Sequence, residues 1–325
     1  MSALLVTLLS SALLCGLYLR LARRWQILDR PNARSSHQLP TPHGGGLPLF
    51  VALLLGLAAA ALSGMPAPGV YLAITGMALL LVGMGVLDDL RGLSVRARFL
   101  GYGLICAVTA ALLLPPGDGI HSVAMAAVAA LALLWMLNLY NFMDGIDGIA
   151  ALQCIQAAVS AALLSWFFAA DAAYAGYCLL LAAAHAGFLA WNWPPARLFM
   201  GDAGSVPTGY LLGVLALLGA VQGILPLEVW LILLAPFIVD ASYTLGWRVV
   251  TGQPITRPHR MHAYQRLSRH WGGHLPVDMA LLAVHALWLF PLALTLTVWP
   301  KFPFLLVILA YLPLLIGVAK ARNLG

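Results

Sequence analysis

Apolar residues run through this chain in long unbroken stretches, without the period-two alternation of a half-buried strand or the narrow stripe of a soluble helix. Stretches such as 303–319, which contains the run LVILAYLPLLIGVA, approach the roughly 20 residues a helix needs to cross a bilayer core. Read along the chain, the pattern predicts about eleven spans: 3–19, 46–64, 69–87, 98–115, 122–142, 149–169, 173–191, 206–222, 227–246, 277–297 and 303–319. A transmembrane β-barrel would alternate apolar and polar positions, which these runs do not. The connections come in two kinds that take turns. Short ones (SGMPAPG, PPGDGIH, AADAA, QGILP, WPKF) alternate with longer, polar ones. The predicted class is therefore all-α: a polytopic integral membrane helical bundle forming one domain over residues 1–325.

Composition agrees. The chain is 62% hydrophobic and 9% charged, against roughly 25% charged in a soluble domain. Its net charge of +6 is distributed unevenly: 16 of the 17 basic residues fall in or beside the long connections or after the last span, and Lys301 alone lies on the other side. The positive-inside rule then sets the N-terminus outside and the C-terminus in the cytoplasm. The basic balance is thus topological and needs no nucleic-acid partner, although part of it can attract phosphates or anionic head groups. Basic residues follow the first apolar run (Arg20, Arg23, Arg24), and no small-residue cleavage site ends it. That run is expected to be a retained span. Cys15, Cys106, Cys154 and Cys178 lie inside apolar runs, without metal-ligand spacing, and read as reduced, buried thiols.

The eleven acidic residues give a second sorting. Asp118, Asp171 and Glu228 sit at the short turns, whereas Asp29, Asp88, Asp89, Asp144, Asp147, Asp202 and Asp278 gather on the basic side, and Asp240 lies about two turns inside the ninth span. Topology constrains arginines strongly and aspartates little. A polar site facing the cytoplasm explains the clustering.

Five segments carry candidate chemistry. In VLDDLRGLS, adjacent Asp88 and Asp89 repel one another near lipid unless a cation or a basic group joins them; a solvated helix end is the plainer alternative. In NLYNFMDGIDG, the pairs Asn138/Asn141 and Asp144/Asp147 are three apart, so at helical spacing each pair shares a face. Gly145 and Gly148 end that helix, and carboxylates at a helix C-terminus ask for a compensating positive charge. In PPARLFMGDAGS, Asp202 stands in a turn just before the eighth span, with amides suited to an anion, and Phe199 is expected as an exposed aromatic able to stack on a flat ring. RPHRMHAYQRLSRH carries His259, His262, Arg257 and Arg260, whose guanidinium forks suit phosphate oxygens, or it is only a solvated basic loop. The Gly44–Gly46 loop, with Arg34 and His37 as phosphate candidates, is either an ordered loop or a plain connector. His121, His185 and His285, in or beside spans, read as structural.

Taken together, PNARSSHQLPTPHGGG, DDLRGLS, NLYNFMDGIDG, PPARLFMGDAGS and PHRMHAYQRL resemble, in order, the motifs of the polyprenyl-phosphate N-acetylhexosamine-1-phosphate transferase family. That family includes the phospho-N-acetylmuramoyl-pentapeptide translocases and the enzymes that start O-antigen synthesis. The resemblance implies attack by a polyprenyl (undecaprenyl) phosphate on the β-phosphorus of a UDP-N-acetylhexosamine, with UMP leaving and Mg²⁺ (Mn²⁺ as the substitute) offsetting the gathered charge. It further implies a multi-pass protein of the bacterial inner membrane with its site in cytoplasmic loops (about 20–47, 88–98, 143–148, 192–205 and 247–276).

Carried over by motif, Asp202 is the metal-ligand aspartate and Phe199 the aromatic that stacks on uracil. Asp88 and Asp89 position or deprotonate the lipid phosphate, or bind metal. Asn138, Asn141, Asp144 and Asp147 belong to the nucleotide and metal neighbourhood, and His259 and His262 lie near the diphosphate. Arg34, His37, Arg96, Arg257 and Arg260 complete the expected substrate contacts. The His-Arg-Met-His spacing points to the O-antigen-initiating branch, and His43 stands where close relatives usually carry Arg. A homodimer and the identity of the sugar stay open. Two rival classes, a transporter and an intramembrane aspartyl protease, fit less well, since a transport path would bring acids to midplane from both sides.

Overall fold

The computed structural model describes residues 1–29, 39–64, 69–114, 119–254 and 259–324; Arg34, His37 and Arg257 lie outside the described residues. Fourteen helices account for nearly all of the described chain: α1 (Ser2–Arg24), α2 (Gly46–Leu62), α3 (Gly69–Arg91), α4 (Val95–Leu113), α5 (Ile120–Met143), α6 (Ile149–Leu164), α7 (Ala172–Asn192), α8 (Asp202–Val221), α9 (Leu227–Leu233), α10 (Ala235–Val250), α11 (Ala263–His270), α12 (Leu275–Val284), α13 (Phe290–Val298) and α14 (Pro303–Ala321). Single π-helical turns extend α6 (Ser165–Ala169) and join α12 to α13 (His285–Leu289). A two-residue antiparallel ladder, β1 (Leu28–Asp29) with β2 (Thr41–Pro42), closes the base of the first long loop.

Among the described residues, nine helices, with α12–α13 counted as one, are long and apolar enough to cross a membrane. The protein is a polytopic helical membrane protein. Two expectations need correction. The ninth predicted span is not straight: α9 and α10 meet at 76°. Pro236, in the first turn of α10, lacks the N–H that would continue the ladder from α9. The eighth span begins four residues early, so Asp202 is the first residue of α8 and not part of a preceding turn. Gly201, at φ 72°, makes that start possible, because a left-handed residue there costs little only for glycine.

Lipid hydrocarbon gives helices no hydrophobic reason to associate, so close packing and cross-helix hydrogen bonds do that work. The central helices α6, α7 and α8 are buried over most of their length, whereas α14 is mostly exposed. Polar pairs join them to their neighbours: Thr75 to Tyr177 at 2.8 Å, Thr109 to Tyr210 at 2.7 Å, Ser11 to the Ala184 carbonyl at 2.6 Å. His185 bridges the Leu181 carbonyl and Thr208, and His285 bonds Ser160. All four cysteines are free and buried.

At the end of the bundle that carries the long loops, backbones touch. A Cβ on Gly46 would overlap the Gly204 backbone, and one on Gly85 would overlap Ala203. The start of α2 and the last two turns of α3 thereby lie directly against the first turn of α8. Gly46→Ala and Gly85→Ala are expected to cost about 1–3 kcal/mol of stability or more through overpacking, read as a lower melting temperature in detergent. Gly76→Ala, in the same helix α3 but with nothing within 4 Å of its added carbon, is expected to melt at or slightly above wild type. Equal melting of all three proteins would contradict this packing.

Candidate active site

The helix ends around that contact bring carboxylates together. Asp88, in the last turn of α3, accepts from the Leu93 amide at 2.6 Å and from Arg98 Nη1 at 2.7 Å. The same Arg98 nitrogen reaches Asp202 Oδ2, at 3.4 Å. Asp89 lies against the start of α8, where the Asp202 and Ala203 amides favour its charged form, although burial and Asp88 push its carboxyl up to about 6. A carboxylate from α3 thus faces a helix end at which negative charge is favoured. His43 Nδ1 stands 3.9 Å from Asp89. Burial holds His43 below the ordinary histidine value, against the pull of Asp29 and Asp202.

The first long loop is bonded to the Phe199 segment. Phe199 N–H donates to the Pro42 carbonyl at 2.8 Å, Gly45 N–H to the Phe199 carbonyl at 2.9 Å, and Gly46 N–H to the Met200 carbonyl at 2.9 Å. Phe199 is half-buried, more covered than its sequence context suggested.

The NFMDGIDG segment leaves the helix earlier than its spacing predicts. α5 ends at Met143, so Asp144 and Asp147 lie in a loop and not on one helical face. Asp144 remains near the carboxylate centre: burial, then Asp202 and Asp147, push it up to about 7. Asp147 faces elsewhere. Its Oδ2 accepts from the Ala196 amide at 2.9 Å and lies 3.1 Å from His274 Nδ1. Asn192 adds a second stitch, accepting from Gly148 N–H at 3.0 Å while donating to the Leu198 carbonyl at 2.9 Å. Asn141 accepts from Ser205, one turn into α8, at 2.8 Å, whereas Asn138 donates to Leu134 in its own helix.

A cavity of about 410 Å³ opens between α4, α5 and α10. Phe99, Tyr102, Leu131 and Trp135 line its apolar part, and Arg98, Asn138 and Asn141 line it near the helix ends. On the far side of Phe142, His262 is buried, stacked on His259 at 5.0 Å between ring centroids, and 3.3 Å from Asp240. Burial, then His262 and Arg248, push His259 down to about 4. Arg260 is half-buried, and Arg96 is exposed on the first turn of α4.

Asp88, Asp89, Asp144 and Asp202 therefore share one centre with Asn141 and Phe199 close by, whereas Asp147 is engaged in joining loops. Sequence reasoning missed Arg98 in favour of Arg96. The signal was helical phase: Arg98 lies on the face of buried Tyr102, Ile105 and Thr109, and Arg96 does not. Asn192, His274 and Asp240 carried no motif. The oxygen donors of Asp88, Asp89 and Asp202 fit a hard divalent cation in kind. Among the described residues no three such side chains already close into a cage, and Arg98 stands between Asp88 and Asp202.

Asp144 gives a test of this electrostatic picture. Its folded pKa lies above its ordinary 3.8, at about 7, so folding binds its proton, and the stability this contributes is lost as pH rises through that window. Asp144→Asn is expected to flatten the fall in melting temperature between about pH 4 and pH 7. Parallel wild-type and variant curves would show that Asp144 ionises freely.

Comparison with known proteins adds the following. Residues 71–220 match the family model described as glycosyl transferase family 4. The chain is 25% identical over 275 residues to the probable undecaprenyl-phosphate N-acetylglucosaminyl 1-phosphate transferase of Bacillus subtilis (strain 168), covering 82% of this chain and 76% of that protein. A shorter match, 52% identical over 48 residues, links it to the phospho-N-acetylmuramoyl-pentapeptide-transferase of Synechococcus sp. (strain CC9605), covering 15% of this chain and 14% of that one. Another, 40% identical over 87 residues, is to the enzyme of that name from Maricaulis maris (strain MCS10), 24% and 23% of the two chains.

Proposed function

For a chain that carries the glycosyl transferase family 4 pattern across residues 71–220, we propose the transfer of N-acetylhexosamine 1-phosphate from a UDP-sugar to polyprenyl phosphate, releasing UMP. The lipid product starts a cell-envelope polysaccharide such as O-antigen. One observation carries the reading: the carboxylate centre around Arg98 adjoins a cavity that, beyond Asn138 and Asn141, is walled by mostly apolar side chains of membrane helices. A water-soluble polyanion and a lipid phosphate can meet only at such a junction.

In the reaction, an oxygen of the lipid phosphate forms a bond to the β-phosphorus, and the bond from that phosphorus to the α,β-bridging oxygen breaks. UMP leaves with the electron pair. The lipid phosphate, with a second pKa near 6, is largely dianionic at neutral pH, so little proton removal is required. Arg98 offers it a guanidinium at the mouth of the cavity, and Asp89, beside His43 and pushed up to about 6 by burial and Asp88, can take a remaining proton from it. Asp144 is suited to exchanging a proton near neutrality. Phe199 would stack on uracil. His259, His262, Arg257 and Arg260 would face the diphosphate, with Arg34, His37 and Arg96 as outer phosphate contacts and Asn138 and Asn141 near the nucleotide. Magnesium or manganese held by Asp88 and Asp202 would supply the positive charge that two phosphorylated reactants need.

The nine long helices, the bent α9–α10 pair taken as one span, and α2 together support eleven crossings. With every basic residue but Lys301 on one side, the site then faces the cytoplasm of a bacterial inner membrane.

The expected outcome is that donor labelled at the β-phosphorus delivers its label to the lipid while unlabelled UMP is released. Added UMP should regenerate UDP-sugar from the lipid product, because one phosphoanhydride is exchanged for another, and EDTA should stop both directions. Asp202→Asn and Asp88→Asn should lose more than ~100-fold in turnover, beyond what partners that only orient a ligand usually cost. Label in released UDP, with the lipid unlabelled, would overturn the reading.

A further inference from the structure

Asp240 is a buried carboxylate that the transfer just described does not use. It lies in α10, past the 76° break, and is 4% exposed. Four donors converge on it. Its Oδ1 accepts from the Ala263 amide at 2.9 Å, the Thr244 hydroxyl at 3.1 Å and His262 Nδ1 at 3.3 Å, and its Oδ2 accepts from the Tyr264 amide at 3.0 Å. The amides belong to the first turn of α11. His262 is the N-cap of that helix but makes no side-chain cap bond, so the cap comes from another helix altogether.

The chemistry of the pair fixes a tautomer. The Asp240 oxygens accept from two amides and a hydroxyl, so His262 Nδ1 is the donor of this pair and Nε2 is the ring nitrogen left over. His262 is held on its other sides by rings: His259 at 5.0 Å, Tyr264 at 5.8 Å and Phe142 at 6.5 Å. The ionisable groups facing Asp240 are His262, His259 and Tyr264 from the loop and α11, with Arg248 on its own helix. Arg248 is bonded to Met261, Gln253 and the Pro254 carbonyl. Tyr264 extends the same device, since its hydroxyl donates to the Phe142 carbonyl at 2.9 Å beside the Asp144 loop.

We propose that Asp240 is a positioning residue: it holds His262 in the Nδ1–H tautomer and fixes its loop, so that Nε2 is presented to the reacting diphosphate. The presentation to diphosphate rests on the transferase reading; the tautomer does not. A carboxylate behind a histidine acts through that histidine, which distinguishes it from a residue that only stabilises the fold.

The test is a double-mutant cycle on the full-length protein in detergent, reading UDP-sugar-dependent UMP release, together with nitrogen NMR of ¹⁵N-histidine-labelled protein at neutral to mildly alkaline pH. Asp240→Asn and His262→Gln should each reduce turnover, by about 10–100-fold for the first. In the His262→Gln background, Asp240→Asn should add little, because the residue through which it acts is already gone. The wild-type spectrum should show His262 protonated at Nδ1 alone, and Asp240→Asn should show a mixture. Losses that multiply in the double variant, or a wild-type His262 protonated at Nε2, would overturn the proposal. Should the wild type transfer no sugar phosphate, the transferase reading fails and the spectrum alone decides the role of Asp240.

Discussion

The carboxylate centre of this protein is arranged around a contact of helix backbones. At Gly46, Gly85 and the Ala203–Gly204 pair, three helix backbones touch. That closeness places a carboxylate from a different helix, Asp89, at the amide-bearing start of α8. It also brings Gly45 and Gly46 within hydrogen-bond distance of the Phe199 and Met200 carbonyls. One methyl group in this contact would push α2 or α3 away from α8. The carboxylates would then separate from the amides and from Arg98, although every residue of the centre was still present.

Around that contact, charge is left unbalanced. Arg98 serves both Asp88 and Asp202, while Asp89 and Asp144 lie close enough to raise the cost of ionising their neighbours. Such an excess of negative charge is unfavourable for the fold itself, which is why it reads as a site and not as a structural network. The stitches beyond it are different. Asp147 and Asn192 find partners in neighbouring loops, so they hold the loop geometry. The two aspartates of the DGIDG run thus divide into one that faces the charged centre and one that ties the loops.

Spans were legible because apolar length is a direct demand of the bilayer, and the segments carrying chemistry were legible because aspartate is rare there. What the pattern hid was direction. Periodicity drew Asp144 and Asp147 onto one helical face, but the helix stops at Met143. Hydropathy ran smoothly across Leu234, where the chain turns by 76°; Pro236 was the visible mark of that turn. Partners far apart in sequence, such as Asp240 with Ala263 or Asp147 with His274, leave no local signature at all. They exist only once the helices have packed.

The broken α9–α10 pair shows why such a turn is worth its irregular backbone. In hydrocarbon, every main-chain group must find a partner inside the protein, so a bend there persists only where the surrounding structure rewards it. Here α10 leaves the line of α9 and thereby touches two things at once. Leu245 lines the cavity shared with α4 and α5, and Asp240, just over one turn earlier, caps α11 and holds His262. Both positions lie on α10 itself, beyond the break. A single helix therefore joins the apolar cavity to the histidine loop. The proposed transfer needs that connection, because its lipid and its nucleotide come from different solvents.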